Sequence, residues 1–160
     1  MSPADPPESR DTGGALTETP DLSGAFPRLE PAQIAMLAEH GECGPVRAGE
    51  VLSVEGEPDP AFFVVLGGKV VVLEGYQTQD ERVVRVHGPG RFLGELGLLT
   101  GQVSFFTNVV AVAGEVLAVP VEQVRRLVSR DSGLGDEILR AYLIRRSLAS
   151  RGAGATSTRG

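Results

Sequence analysis

Cysteine is nearly missing from this chain: Cys43 stands alone among 160 residues. That excludes an internal disulfide framework, and one thiol with two distant histidines, His40 and His87, falls short of the donor set of a structural zinc site. Cys43 reads as a small core or near-surface residue rather than a reactive thiol. Long apolar runs are also missing. Nothing approaches the roughly 18 residues that a membrane span requires, and residues 1–31 lack the basic start and apolar middle of a secretory signal. The sequence therefore reads as a soluble, cytoplasmic protein without a membrane partner. Basic residues are scarce at the front, where residues 1–60 hold 3 Arg and no Lys against 12 acids, a net charge of −9. Residues 61–120 carry −1, and residues 121–160 carry +4 from 8 Arg against 4 acids. So acidic a front end argues against nucleic-acid binding. The late arginines Arg125, Arg126, Arg130, Arg140, Arg145 and Arg146 fall at helix spacing and read as a solvated helix face, a patch for an acidic partner being the other reading. Catalytic constellations are wanting too. His40 ends a helix, His87 sits in a Gly-Pro turn, and the inward strand positions where an enzyme of this architecture would gather metal-binding histidines read Val, Phe and Leu. The chain reads as non-enzymatic, with no metal site and no resident cofactor.

What is present suffices for one domain, since 41% of the residues are hydrophobic and the length leaves little room for a second core. Residues 1–25 are rich in Pro, Ser, Thr, Gly and acids and read as a disordered tail. A domain over 26–149 follows, then a disordered tail over 150–160. Pro31 opens a short amphipathic helix of roughly 30–40, with Ile34, Leu37 and Ala38 on its apolar stripe and Gly41 at its end. From Cys43 to Pro120 the pattern changes to short β-branched runs. These are Val46-Arg47, Val51–Val54, Phe62–Leu66, Lys69–Leu73, Arg82–Val86, Phe105–Val112 and Val116–Val119, broken by Gly- and Pro-containing turns. Such spacing predicts an antiparallel sandwich or barrel. Gly67-Gly68 between two apolar runs predicts a two-residue hairpin. After Pro120, Val121, Val124, Leu127 and Val128 predict a helix. A last helix over roughly 134–149 carries an apolar surface too broad for one packing face.

The most informative segment is Gly90-Arg91-Phe92-Leu93-Gly94-Glu95-Leu96-Gly97-Leu98-Leu99, followed by the strand run that ends at Val112. It combines a close glycine approach, a lone acid among apolar residues and the start of a short helix, where unpaired N–H groups favour an anion. Together with Ala48-Gly49-Glu50, Glu55-Gly56 and Phe63-Val64-Val65-Leu66-Gly67-Gly68-Lys69-Val70, it closely resembles the cyclic-nucleotide-binding domain across the whole domain. More narrowly, Val83–Thr107 and Gly114–Val121 resemble the N-terminal domain of actinobacterial fusions to thioredoxin-reductase-like flavoproteins. The resemblance implies a mainly β fold: an antiparallel β-roll or jelly roll, a cupin-like double-stranded β-helix, with an N-terminal helix and two C-terminal helices. It also implies a regulatory role in signal transduction.

In that family the cassette acid accepts the ribose 2′-hydroxyl, backbone amides approach the phosphate, and an arginine on the next strand pairs with it. Glu95 matches the acid, and Gly94, Leu96 and Gly97 match the amides. The arginine's position falls on Phe105, followed by Phe106 and Thr107, and no basic residue lies between Gly94 and Glu115. The resemblance therefore implies a degenerate phosphate clamp that binds cyclic AMP and cyclic GMP weakly or not at all, in an apolar pocket narrowed by both phenylalanines. Arg91, like Arg82 or Arg85, is a candidate substitute for the missing charge, with a surface ion pair as its alternative. Glu95 has a purely structural alternative too, capping local amides. A working nucleotide sensor remains an alternative function. Another is a protein-interaction module that uses Ile138, Leu139, Tyr142 and Leu143 to dock a thioredoxin-reductase-like flavoprotein or a second copy of itself.

Overall fold

The computed structural model describes residues 16–159, and the side chains of these apart from Leu96 and 149–159. Helix α1 (Pro31–Ala38) precedes strands β1 (Glu42–Val46), β2 (Val51–Ser53), β3 (Phe62–Glu74), β4 (Arg82–His87) and β5 (Phe92–Leu93). Helix α2 (Glu95–Thr100), strand β6 (Thr107–Val119) and helices α3 (Val121–Arg130) and α4 (Ser132–Arg159) complete the order. Pro31 begins α1, where its missing N–H costs nothing, and the Gln33 side chain accepts the Glu30 amide at 2.8 Å.

All six strands form one antiparallel sheet ordered β1-β6-β3-β4, with β2 on β6 and β5 on β3. This is the expected roll with flanking helices. Two strand expectations are corrected. Gly67-Gly68 is not a hairpin, because β3 runs unbroken through it, and the expected runs Phe105–Val112 and Val116–Val119 are one long strand, β6, which begins only at Thr107 and leaves Phe105 and Phe106 in the preceding bend. The glycines instead mark a corner in β3 where its antiparallel pairing with β6 shifts register. Gly68 has φ 81°, and a Cβ there would collide with the Val112 carbonyl. The pairing register shifts on both sides of Gly67. That shift changes which residues face inward: Phe63 and Val65 line the roll before the corner, and Val70 and Val72 line it after. Glycine pairs of both kinds look alike in sequence, because a hairpin turn and a strand bend each need positive φ without a side chain.

Three apolar clusters result. Inside the roll, Phe63, Val65, Val70, Val72, Leu93, Val110 and Val116 pack together. Between sheet and helices, Phe62, Val64, Phe92, Leu117 and Val119 meet Leu37 of α1, Val124 and Leu127 of α3, and Leu134, Ile138 and Ala141 of α4. Val71, Leu73, Val86 and Val109 form the third cluster with Leu16.

Leu16 belongs to the segment expected to be a disordered tail. Of that tail, residues 1–15 lie outside the described part, but residues 16–29 run along the edge of the sheet. Thr19 donates its amide to the Val86 carbonyl at 3.0 Å and accepts the Val86 amide on its hydroxyl at 2.9 Å. Lys69 Nζ donates to the Leu16 carbonyl at 2.8 Å, and Leu16, Ala25, Phe26 and Leu29 are buried. A polar composition hid this because four well-spaced apolar side chains are enough when an unpaired strand edge supplies the backbone partners. At the other end α4 is continuous to Arg159, beyond the helix of 134–149 and through the segment expected as a tail.

Candidate functional site

Gly94 sets the geometry of the cassette. It precedes α2 with φ 98°, and a Cβ there would lie 2.8 Å from the Ala61 carbonyl, so β5 turns directly into the helix only with glycine at this position. Glu95 then stands in the first turn of α2. At the far end of this short helix, Arg125 of α3 donates from Nε to the Leu98 carbonyl at 3.2 Å and from its terminal nitrogen to the Gly97 carbonyl at 3.5 Å. A cation at the carboxyl end of a helix satisfies free carbonyls and complements the dipole. Arg125 therefore ties the cassette to α3.

Glu95 is paired from the other side. Its carboxylate lies 2.7 Å from the guanidinium of Arg145 on α4, and the two side chains are only 14% and 13% exposed. Arg145 also donates from Nε to the Ala25 carbonyl at 2.6 Å, and its guanidinium carbon lies 5.0 Å from the Phe26 ring centre and 4.9 Å from that of Phe92. Flat apolar rings on a guanidinium let it be desolvated at low cost. The sequence reading placed Arg145 among solvated arginines. Its spacing shows otherwise: Leu134, Ile138, Ala141 and Arg145 recur at intervals of four, three and four, one stripe of α4, and the first three are fully buried.

Asp59 was not foreseen at all. The half-buried Asp59 carboxylate accepts a hydrogen bond from the Gly97 backbone, one of the amides expected to approach a phosphate. Burial, and then repulsion from Glu95, raise its pKa above the ordinary 3.8, with the Gly97 bond opposing them. An internal anion thus uses a donor that a bound phosphate would need. The signal in the sequence was slight, an acid between two prolines, Pro58 and Pro60, that fix the approach of the loop.

The cassette strand differs from expectation as well. Phe105 does not narrow a pocket, because its side chain is 59% exposed, whereas Phe106 packs against the roll interior. Thr107 is buried, its hydroxyl accepting the Glu55 amide at 3.1 Å. The loop before β3 is further stitched on by Gly56 N–H to Ser104 carbonyl at 2.8 Å and Ser104 N–H to Glu57 carbonyl at 2.9 Å. These contacts fix the backbone but provide no cation. Arg91 does not pair at the surface. It is buried, donates to the Val86 carbonyl at 3.3 Å and lies 4.0 Å from the Glu18 carboxylate, which also pairs with Arg28. These contacts are with β4 and the N-terminal segment rather than with the cassette amides. Burial and neighbouring Arg28 lower its pKa.

On the last helix, Ile138 turns inward and is fully buried and Tyr142 is half-buried, while Leu139 and Leu143 are 45% and 54% exposed. The face expected over Ile138, Leu139, Tyr142 and Leu143 is thus divided between core and surface. Among the described residues there is no group of three His, Cys, Asp or Glu placed to hold a metal ion, and no helix is long and apolar enough to cross a membrane.

This arrangement of roll, cassette and helices recurs in known proteins. The CRP-like cAMP-activated global transcriptional regulator of Mycobacterium tuberculosis is 27% identical over 57% of this chain and 43% of its own length. The chain therefore spans less than half the length of this curated relative. The catabolite activator protein of Thermus thermophilus superposes with a TM-score of 0.65 at 24% identity, covering 81% of this chain and 61% of that one. A transcriptional regulator from Thermotoga maritima gives 0.68 at 15% identity over 78% of this chain and 98% of its own. The model of the cyclic nucleotide-binding domain matches residues 45–131, more than half of the chain and the whole of the cassette, so the protein belongs to the cyclic nucleotide-binding domain family.

Proposed function

We propose that this is a non-enzymatic, cytoplasmic regulatory domain whose phosphate clamp is degenerate, so that cyclic AMP and cyclic GMP bind weakly or not at all. The observation that carries this reading is the occupation of the cassette by the chain's own groups. Arg145 holds Glu95, and Asp59 takes up the Gly97 amide. A cyclic phosphate approaching that amide meets a carboxylate, and no lysine or arginine stands between Gly94 and Glu115 to offset it. A lost charge-assisted contact costs about 1.5–3 kcal/mol, about ten- to a hundredfold in affinity, before the repulsion is counted. The pair also supplies a route for regulation. Any ligand that engages Glu95 competes with Arg145 and so acts on the docking of α4, a two-state element read at a distance from the site. Thermal unfolding with millimolar cyclic AMP or cyclic GMP tests the reading. The expected result is no shift of the melting temperature, whereas a ligand at a hundred times its Kd would add about 2.7 kcal/mol and several degrees.

A second reading is favoured by Leu139 and Leu143, which lie one turn apart on the outer side of α4 and are both substantially exposed. In it they dock a protein, either a second copy of the chain or a flavoprotein of the thioredoxin-reductase type. Light scattering across a concentration series checks the self-association version, and a monomer at every concentration removes it.

A further inference from the structure

The segment 16–29 is tied down near both ends and sharply bent between them. Near its start, the Thr19 amide and hydroxyl both engage Val86 on the edge of β4. At its end, Leu29 donates its amide to the Gly90 carbonyl at 2.8 Å and Arg28 donates to the Pro89 carbonyl at 2.6 Å. Between these ties, Leu22, Ser23 and Gly24 take φ of 34°, 64° and 101°, three successive residues in the left-handed region. Two of them carry a Cβ, and such backbone persists only where its surroundings hold it. Asp21 closes the bend from within: its carbonyl accepts the Gly24 and Ala25 amides at 2.9 and 3.2 Å, and its carboxylate accepts the Phe26 amide at 2.9 Å. Asp21, Leu22 and Ser23 are all exposed, so the outside of the bend is held by nothing but these bonds and water.

Its inner side is held by α4. Arg145 donates from Nε to the Ala25 carbonyl, directly after the bend, and its guanidinium faces the Phe26 ring. The same guanidinium carries the pair with Glu95. One side chain therefore serves the cassette and the segment at once. Phe26 itself is buried among cations, with the guanidinium carbons of Arg85 and Arg91 at 5.1 and 5.9 Å from its ring centre and the His87 ring at 5.4 Å. The bonding on this side is incomplete: a terminal nitrogen of Arg145 is buried without a partner, as are His87 Nδ1 and Arg91 Nε. Native interiors rarely leave such groups unpaired without a reason. A left-handed bend outside and an under-bonded contact inside place the segment at the low-stability end of the fold, where sub-global opening starts.

We propose that the segment 16–29 is a strained strap with Arg145 as its latch, so that releasing Glu95 from Arg145 at the cassette lifts the segment from the edge of β4. Without its carboxylate, Arg145 is a largely buried charge with no counter-charge, and turning toward water relieves it. That movement withdraws the guanidinium from the Ala25 carbonyl and from the face of Phe26. The left-handed bend then relaxes, Thr19 leaves Val86, and the backbone edge of β4 is uncovered. Such coupling is reciprocal, so a segment that opens also loosens the hold on Glu95. The proposal rests on the regulatory reading of the Glu95–Arg145 pair, and not on the affinity of the cassette for any nucleotide.

Hydrogen exchange on the whole chain tests it, in the original protein, in Glu95→Gln, in Arg145→Gln and in the double variant. Glu95→Gln is expected to speed exchange at the Thr19 and Phe26 amides by about tenfold, and to add nothing further once Arg145 is replaced. The Gly49 and Glu50 amides, bonded in the turn before β2, are expected to keep their rates. Ser23→Asn places at φ 64° a residue that tolerates left-handed backbone, and is expected to slow Thr19 exchange. In the reverse direction, Thr19→Val removes the hydroxyl that accepts the Val86 amide, and is expected to speed exchange at Leu98, whose amide bonds the Gly94 carbonyl in the cassette. Thr19 lies outside the apolar clusters, so this variant carries the test if Arg145→Gln does not fold. Unchanged Thr19 exchange in Glu95→Gln or in Ser23→Asn, unchanged Leu98 exchange in Thr19→Val, the same acceleration by Glu95→Gln without Arg145, or equal acceleration at Gly49 and Glu50 would each overturn the proposal. Calorimetry with cyclic AMP reports separately on the affinity of the cassette, so a failure there is distinguishable.

Discussion

The Arg145 guanidinium lies 2.7 Å from the Glu95 carboxylate, joining the last helix to the one acid of the cassette. Both groups are largely shielded from water, so either one left alone faces a desolvation cost that the pair avoids. Replacing Arg145 with Ala or Glu95 with Gln is expected to lower stability by about 2–3 kcal/mol, between the values for surface and fully buried pairs. The double variant is expected to lose less than the sum, with a coupling of about 1 kcal/mol or more. Denaturant unfolding of the four proteins measures it, and strict additivity would show that the two groups do not act together.

Asp59 gives a prediction of opposite sign. A carboxyl whose folded pKa is raised binds its proton more tightly when folded, so ionisation costs stability as pH climbs above 3.8. Asp59→Asn keeps an acceptor for Gly97 and removes that cost. The variant is expected to melt above the original chain at neutral pH, by less than about 1 kcal/mol because the site is only half-buried. The difference should fade as pH falls toward 3.8. A gain that persists in acid would assign the effect to something other than the charge.

His87 adds a second pH dependence. Its pKa is depressed, so below about 6.5 the unfolded chain takes up a proton that the folded chain refuses. Stability should therefore fall with acidification below that point, by up to about 1.4 kcal/mol per pH unit from this group alone. His87→Leu is expected to flatten that part of the curve. Melting curves from neutral to mildly acid pH distinguish the two, and identical slopes would contradict the assignment.

Phe105→Arg places a charge where the sequence resemblance implied an arginine. Phe105 is 59% exposed, so the change should cost little stability. Alone, the new arginine leaves the Asp59 carboxylate on the Gly97 amide, where it still repels a phosphate. Combined with Asp59→Asn, it is expected to raise affinity for cyclic AMP by about tenfold or more, measured by calorimetry. Equal affinity in the original chain and the double variant would mean that neither group limits binding.

The roll, the position of the cassette and the order of the helices were legible because β-branched runs, glycine punctuation and a lone acid each have a local cause. Gly67-Gly68 misled because the residue chemistry of a hairpin turn and of a strand corner is the same, and only the partner strand decides. The segment 16–29 was hidden because its order comes from the free edge of β4 and from Phe26 among arginines, both supplied by distant residues. Arg145 could have been found, since it continues the buried stripe of Leu134, Ile138 and Ala141. Asp59 could not, because its role depends on the Gly97 amide being brought to it by the turn at Gly94.

The central claim is that the chain's own groups hold the cassette against a cyclic nucleotide. Calorimetric titration of the original chain with cyclic AMP and cyclic GMP tests it most directly. The account predicts no binding in the micromolar range for either compound. A micromolar or tighter Kd that is lost in Glu95→Gln would contradict it, since the cassette would then bind a nucleotide despite Asp59 and without the missing arginine.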